Sequence, residues 1–578
     1  MSRYMDEYNN WLAQASLEDY LRDELEAIRD NLDEIRARFE TELSFGTAGL
    51  RGKIAAGLNR MNIYTVRRAT QGLSQWIMEN GGEKRGVAIA YDSRNFSPEF
   101  ALESALVLCA NGIKVYLFDA LRPTPELSFA VRHLGCISGI VVTASHNTKE
   151  YNGYKVYGED GGQLPPEAAN VIIDAIAGID IFTGVKLMDK DEAIAKGLLT
   201  YIGEDVDAPY LDSVYAQAVN HDVIASVADD FKIIYTPIHG TGNKLVRRIL
   251  DRCGMKNVIV VKEQELPDGE FPTVSAPNPE NKDVFEIAIE MAKESNTDLI
   301  IGTDPDADRV GIVVRTDSGE YITLTGNQTG VLLSEYILSQ RREKGLMPEN
   351  PVLIKTVVTT EMLRPVAKAY GVELMEVLTG FKFIGEKILE FERGGNKKNF
   401  VFGFEESYGY LSGTYVRDKD AVVASMLITE MAAWYKTKGM TLYDALQSLY
   451  KKYGTFCEGV KNIYLDEPDG PAKIAAMINR LRTNTPDSFA GVKVTALRDY
   501  STGLIDYADG SKGATRQPLN NMIYFELGSE VGSGWIAVRP SGTEPKIKFY
   551  FGYNEPDETA ARTKLGEIMD AVLEAAGA

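Results

Sequence analysis

One succession of short segments recurs three times along the chain, and it restricts the fold more than any other feature of the sequence. "RGVAIAYDSR", "SPEFALESALVLCANG" and "IKVYLFDA" read as strand, helix and strand. The succession returns as "FKIIYTPIHG", "TGNKLVRRILDRCG" and "KNVIVVKE", and again as "NPVLIKTVVTT", "TEMLRPVAKAYG" and "VELMEVL". Neighbouring parallel strands cannot be joined by a tight turn and need a crossover, usually a helix. Three such units predict three similar α/β domains with mostly parallel mixed sheets. Ser97 and Gly112 are the expected N-cap and C-cap of the first crossover helix. Further on, "VKVTALRDYS", "NMIYFELG", "GWIAVRPSG" and "KIKFYFGY" precede a final helical segment and predict a smaller C-terminal α+β domain with an antiparallel sheet. The expected domains are 1–215, 216–328, 329–458 and 459–578.

Charge and cysteine usage narrow the function classes. The 83 acidic against 62 basic residues give a net charge of −21, with no basic patch, which argues against nucleic-acid or anionic-membrane partners. No apolar run is long enough to span a bilayer, and the charged, helical amino terminus has no signal-peptide core, so a cytoplasmic protein is expected. Cys109, Cys136, Cys253 and Cys457 are widely separated and read as core thiols. No obligate protein partner is inferred.

Four loops carry chemistry. In "IVVTASHNTKEYNGYKVY" a β-branched strand emerges at Ser145, a place where a serine can meet a ligand, although a serine there can also simply bond its own turn. "LIIGTDPDADRVGIVV" crowds Asp304, Asp306 and Asp308 between two apolar strands. An EF-hand is excluded, because Arg309 and Arg315 stand where that loop needs glycine and glutamate. Crowded carboxylates repel, so a divalent cation such as Mg²⁺ is expected among them; Asp306→Asn should weaken it and relieve repulsion in its absence. "VFGFEESYGYLSG" offers Glu405 and Ser407 as acceptors for sugar hydroxyls, and "AVRPSGTEPKIKFY" sets Arg539, Ser541, Gly542 and Thr543 together in a composition suited to phosphate. Arg51 and Lys53 in "FGTAGLRGK" lie in a glycine-rich loop that could add an anion contact.

In the order "TASHN", "DPDADR", "GFEES", "RPSGTEP", these loops resemble the α-D-phosphohexomutase family over essentially the whole chain. The resemblance implies four domains around a central cleft, each contributing one loop. It implies interconversion of glucose 1-phosphate and glucose 6-phosphate through a phosphoserine at Ser145 and a glucose 1,6-bisphosphate intermediate, which also serves as activator. It further implies one Mg²⁺ held by Ser145, Asp304, Asp306 and Asp308. Lys155 resembles the family's general base, Lys382 its substrate-contacting lysine, and His146 and Arg51 are further catalytic-loop candidates. Arg309, Thr379, Gly380, Glu405 and Ser407 would contact the sugar phosphate, with Arg539, Ser541, Gly542 and Thr543 on the phosphate that is not reacting. His239 reads as a structural histidine. Where the usual metal loop is D-G-D-G-D-R, Pro305 and Ala307 replace both glycines, as in the subgroup of bacterial α-phosphoglucomutases and animal phosphoglucomutase-2-like proteins. That subgroup includes enzymes acting on phosphopentoses or making glucose 1,6-bisphosphate. A serine phosphoenzyme hydrolase and a non-catalytic sugar-phosphate-binding module are the readings from other classes.

Overall fold

The recurring strand-helix-strand units fold as expected, and antiparallel strands added at their edges carry the loops of interest. The computed structural model describes residues 2–46, 49–394, 397–465, 469–528, 532–541 and 546–578. The chain divides into two compact units. One comprises Met1–Gly326, Ile384–Phe402 and Ser407–Thr441, the other Asn327–Phe383, Gly403–Glu406 and Leu442–Ala578.

The first unit contains two mixed sheets. Strands β1 (Gly49–Lys53), β2 (Val87–Tyr91), β3 (Val115–Phe118), β4 (Ser138–Val142), β5 (Tyr151–Gly158) and β6 (Leu199–Ile202) run in the order β1-β5-β4-β2-β3-β6. β2 is parallel to β3 and β4, and β3 to β6; β5 returns antiparallel to β4, and β1 to β5. The register sets Lys155 of β5 opposite Val141 of β4. The second sheet is built of β7 (Lys232–Thr236), β8 (Asn257–Val260), β9 (Leu299–Thr303), β10 (Val310–Arg315) and β11 (Tyr321–Leu324), ordered β11-β10-β9-β7-β8. β9 and β10 form an antiparallel hairpin registered at Thr303 and Val310, so residues 304–309 are its loop. Apolar residues occupy both faces of these strands, as parallel sheets covered by helices require; β4 and β9 are buried at every position.

Two local expectations are corrected. Ser97 does not cap its helix: Phe96 takes the N-cap position in a left-handed conformation, and the Ser97 hydroxyl donates to the buried carboxylate of Asp92 at 2.7 Å. A buried acceptor competes better for that hydroxyl than a backbone N–H does. Gly112 does take the expected left-handed turn after the helix, at φ 77°. Arg51 and Lys53 lie in the paired strand β1 rather than in a loop. Its glycines permit close approach to β5, since a Cβ on Gly49 would stand 1.8 Å from the Tyr154 carbonyl oxygen.

The second unit holds the third crossover, a parallel pair Pro351–Thr356 and Glu373–Val377 joined through the helix Leu363–Tyr370. It also holds the C-terminal sheet, antiparallel at every registered pair. The helices Gly470–Thr483 and Glu558–Ala576 contribute Ile474, Ile478, Leu565 and Ile568 to a core shared with Phe549 and Phe551. All four cysteines are free and buried. No helix among the described residues is long and apolar enough to cross a membrane.

Glu458, on the strand Thr455–Tyr464, is pushed up to about 7 by burial. An acid whose folded pKa exceeds its unfolded value of about 4.3 binds more protons folded than unfolded, so its contribution to stability falls as pH rises from about 4 to 7. Glu458→Gln removes that loss. Its thermal midpoint should exceed the parent's at pH 8, by the equivalent of at most about 4 kcal/mol, and match it near pH 4.5. Equal midpoints at both pH values would show that Glu458 ionises freely.

Candidate active site

β4 delivers the chain to a turn that is held by force at Ser145. This residue is 4% exposed and has φ 51°, a left-handed conformation that costs a non-glycine residue about 1–3 kcal/mol and persists only where its surroundings impose it. The surroundings here are specific. The Ser145 N–H donates to the Thr143 hydroxyl at 2.8 Å, and Thr143 donates to Asp92 at 2.6 Å. The guanidinium of Arg94, fully buried, donates to the carbonyls of Ser145, Asn147, Thr148 and Tyr151. With its backbone so fixed, Ser145 presents Oγ to two partners: it donates to Asp304 Oδ2 at 3.0 Å, and His146 Nδ1 lies 3.1 Å away. Arg51 donates to Asn147 Oδ1 in the same loop, at 3.3 Å.

The hairpin loop between β9 and β10 brings Asp304, Asp306 and Asp308 together, one carboxylate oxygen of each lying within 4.8 Å of the others and their side chains buried. Ala307 supplies the turn in a left-handed conformation, φ 48°, where glycine would be unstrained. Asp304 Oδ1 accepts the N–H groups of Asp308 and Arg309, at 3.1 and 2.9 Å. Asp306 Oδ2 accepts from Thr124 at 2.8 Å and from Lys155 Nζ at 2.9 Å. Asp308 Oδ2 lies 2.8 Å from Lys419 Nζ and 3.8 Å from Lys155. Burial and the charges of Asp306 and Asp308 push Asp304 well above the ordinary carboxylate range. Burial acts on Asp306 too, but Lys155 outweighs it and holds that carboxyl low.

Asp306 Oδ1 and Asp308 Oδ1 are buried without a hydrogen-bond partner, an arrangement expensive unless something else satisfies them. Converging carboxylate oxygens with spare lone pairs fit a hard divalent cation. Arg309 turns toward Glu280, 2.8 Å from it, as well as lying 3.9 Å from Asp308. His239 bonds the Leu266 carbonyl and the Thr273 hydroxyl through its two nitrogens, both at 3.0 Å, which is the structural role expected of it.

The second unit carries other candidates. Glu405 is 5% exposed and accepts the Gly380 N–H at 2.9 Å, a contact made where Gly380 has φ 122°. Thr379 Oγ1, beside it, is buried and accepts or donates no hydrogen bond. Lys382 Nζ lies 5.1 Å above the Phe383 ring. Arg539 pairs across the strand Ser533–Pro540 with Lys548, and the Ser541 N–H donates to the Lys546 carbonyl at 2.8 Å. Like charges directly opposite on adjacent strands are unfavourable unless an anion joins them. Gly542 and Thr543 lie outside the described residues. Ser407 belongs to the first unit and is partly exposed.

The first unit thus assembles Ser145, His146, Lys155 and the three aspartates. Reading the sequence missed Arg94, Thr124, Lys419 and Lys548. A lone arginine after a strand and a lysine in the charge run "RDKD" both read as solvated surface, and neither carries a local signal of burial.

Known proteins resemble this chain over most of its length. Four domain models match it: "Phosphoglucomutase/phosphomannomutase, alpha/beta/alpha domain I" over residues 42–181, domain II over 208–319, domain III over 325–453, and the C-terminal domain over 530–567. A phosphoglucomutase of Staphylococcus haemolyticus is 38% identical over 518 residues, covering 89% of this chain and 91% of that protein. One from Staphylococcus aureus is 38% identical over 542 residues, 93% and 94% of the two chains. Among solved structures, a putative phosphomannomutase from Thermus thermophilus superposes with a TM-score of 0.67 at 22% identity, covering 92% of this chain and 99% of that one. The open form of the Paramecium phosphoprotein parafusin gives a TM-score of 0.67 at 19% identity, covering 93% and 96%. At these identities the two structures speak to the fold.

The pairing within the triad distinguishes its members. Asp306→Asn leaves Lys155 without its nearest counter-charge and should lower the thermal midpoint of the metal-free protein, a cost of about 1–3 kcal/mol. Asp304→Asn removes a like charge while its amide can still accept the two loop N–H groups, so the metal-free midpoint should hold or rise. Relief of repulsion is therefore expected at Asp304 rather than at Asp306. Both substitutions should weaken Mn²⁺ binding measured by calorimetry. A midpoint that falls equally in the two variants would contradict this division.

Proposed function

Because the chain belongs to the phosphoglucomutase/phosphomannomutase family, we propose that it is a phosphoglucomutase, an isomerase that interconverts α-D-glucose 1-phosphate and glucose 6-phosphate by way of a phosphoserine. The observation that carries this reading is Ser145, strained into a left-handed turn at the end of β4 with its Oγ 3.0 Å from a buried carboxylate of the acidic loop. A turn serine bonding its own backbone would need neither the Arg94 clamp nor that partner.

Ser145 carries the transferable phosphoryl group on Oγ. A hydroxyl of the bound sugar phosphate attacks that phosphorus; the sugar P–O bond forms as the P–Oγ bond breaks. The resulting bisphosphate turns end for end. Ser145 Oγ then attacks the phosphorus at the other end, the bond to that sugar oxygen breaks, and the phosphoserine is restored. In each half-reaction the proton released by the attacking oxygen is returned to the leaving one, a transfer assigned to Nζ of Lys155. One serine serving both ends avoids an in-line transfer between two oxygens of the same sugar, which its geometry forbids. Asp304, Asp306 and Asp308 would hold Mg²⁺ beside Oγ, and the ion when bound supplies a charge that offsets the phosphoryl oxygens.

Arg51 and His146 orient the Ser145 phosphate, His146 with its Nδ1 3.1 Å from Oγ. Lys382, Arg309, Thr379, Gly380, Glu405 and Ser407 contact the sugar phosphate, with Glu405 braced by the Gly380 N–H. Arg539, Ser541, Gly542 and Thr543 take the distal phosphate, supported by the cation pair Arg539 and Lys548. Glucose 1,6-bisphosphate reloads any chain that has lost its phosphate. The reading divides the chain into domains 1–215, 216–328, 329–458 and 459–578, each with one loop. It also places the enzyme in the cytoplasm, where four unpaired cysteines are at home.

Purified protein should carry phosphate at Ser145, and Ser145→Ala should retain its fold while losing mutase activity by several orders of magnitude. Phosphopeptide mapping and a coupled assay check both; an active Ser145→Ala with phosphate elsewhere would overturn the assignment. On phosphorylated enzyme, kcat/KM for glucose 1-phosphate should exceed that for mannose 1-phosphate at least about tenfold, because an axial hydroxyl leaves a buried acceptor unpaired. A lead for ribose 1-phosphate would identify a phosphopentomutase using the same serine.

A further inference from the structure

Behind the acidic loop, on the first unit, lies a cavity of about 500 Å³ that the reaction does not use. Four cationic side chains line it, Arg122, Lys244, Arg247 and Arg248, and no carboxylate does. Their counter-charges stand outside the wall. Asp207, fully buried, pairs with Arg122, Lys244 and Arg248; the exposed Glu204 also holds Arg248, and the half-buried Glu265 holds Arg247. Burial alone would raise Asp207, but the hydrogen bonds it accepts from Arg122 and Lys244 outweigh that and bring it to about 2. Glu126, buried behind Arg122, is pushed well above the ordinary carboxylate range by burial and by Asp207.

The wall also contains the start of the helix Gly242–Arg252, whose N-cap residue Thr241 makes no capping hydrogen bond. Thr241 is 3% exposed and its Oγ1 has no partner at all, although buried hydroxyls are nearly always bonded. An uncapped helix N-terminus favours an anion, and here it coincides with four cations and an orphan hydroxyl. The remaining wall, at Leu121 and Pro267, is apolar. The volume lies in the range of small-molecule sites.

We propose that this cavity binds the diphosphate group of a small metabolite, at a site separate from Ser145. Thr241 and the first turn of the helix meet one phosphate, and Arg247 and Arg248, half-exposed at the rim, meet the other. The apolar wall receives whatever body the diphosphate carries. The site is joined to the acidic loop through the backbone: the Thr241 N–H donates to the Pro305 carbonyl at 2.9 Å, and a Cβ on Gly240 would stand 2.6 Å from Pro305 Cα.

The test uses the full-length protein and two probes, inorganic pyrophosphate and ADP, titrated by calorimetry into the parent, Arg247→Gln/Arg248→Gln, and Thr241→Val. Both probes should bind the parent with submillimolar affinity. The double substitution should weaken binding at least tenfold and Thr241→Val severalfold, while kcat/KM for glucose 1-phosphate and the thermal midpoint stay within twofold and a few degrees of the parent. Tighter binding of ADP than of pyrophosphate would identify a nucleoside as the body; equal affinities would identify the free diphosphate group as sufficient. No submillimolar binding to the parent, or binding unchanged by the double substitution, would overturn the proposal.

Discussion

Three carboxylates shut away from water repel one another, and much of the first unit is organised to contain that repulsion. Burial and the charges of its neighbours push Asp304 well above the ordinary carboxylate range; Asp306 and Asp308 are met by Lys155 and Lys419. The two lysines come from distant parts of the chain, one from β5 inside the first sheet and one from the segment Ser407–Thr441. A buried pair of this kind adds little net stability, but losing either member is costly, so the cluster fixes the relative placement of β5, the β9–β10 loop and that later segment. A divalent cation entering the triad brings two charges to a site that already holds two ammonium groups. The lysines that hold the loop in its absence must share or yield their carboxylates in its presence.

The serine turn is controlled by a different means. Backbone strain at Ser145 is imposed by a single guanidinium that satisfies four carbonyls and by a hydroxyl relay from Thr143 to Asp92. Buried arginine with that many acceptors is rigid, because its planar fork loses little further freedom once bound. The Oγ position therefore depends on residues that never touch it. In the second unit the phosphate candidates sit at the end of the strand Ser533–Pro540 instead, where Arg539 lies opposite Lys548 of the neighbouring strand.

The sequence was legible where chemistry sits at the end of an apolar strand. Ser145 after β4 and the aspartates after β9 were found because a β-branched run stops and residues of one chemical type crowd the turn. The three crossovers were legible for the same reason, and so was the antiparallel C-terminal sheet. What could not be read was what a polar residue finds once buried. Ser97 has the composition of a cap but meets Asp92; Arg51 sits among glycines that look like a loop but pair with β5; Arg94 and Lys419 look solvated but are buried on partners more than fifty positions away. Ala307 shows the converse, since it keeps the left-handed turn that glycine would otherwise provide.

The pairing of Asp308 with Lys419 has a consequence for the order of events at the ribosome. About 110 residues separate the two, so at roughly 5–20 residues per second the acidic hairpin emerges some 5–20 s before its second lysine exists. Lys155 is already made by then, and the first sheet can close with one ammonium facing three carboxylates. The nascent hairpin is left with a surplus of negative charge that only later synthesis, or a cation captured from solution, can neutralise. An ion from the medium would thus act first as a stand-in for a part of the chain not yet built.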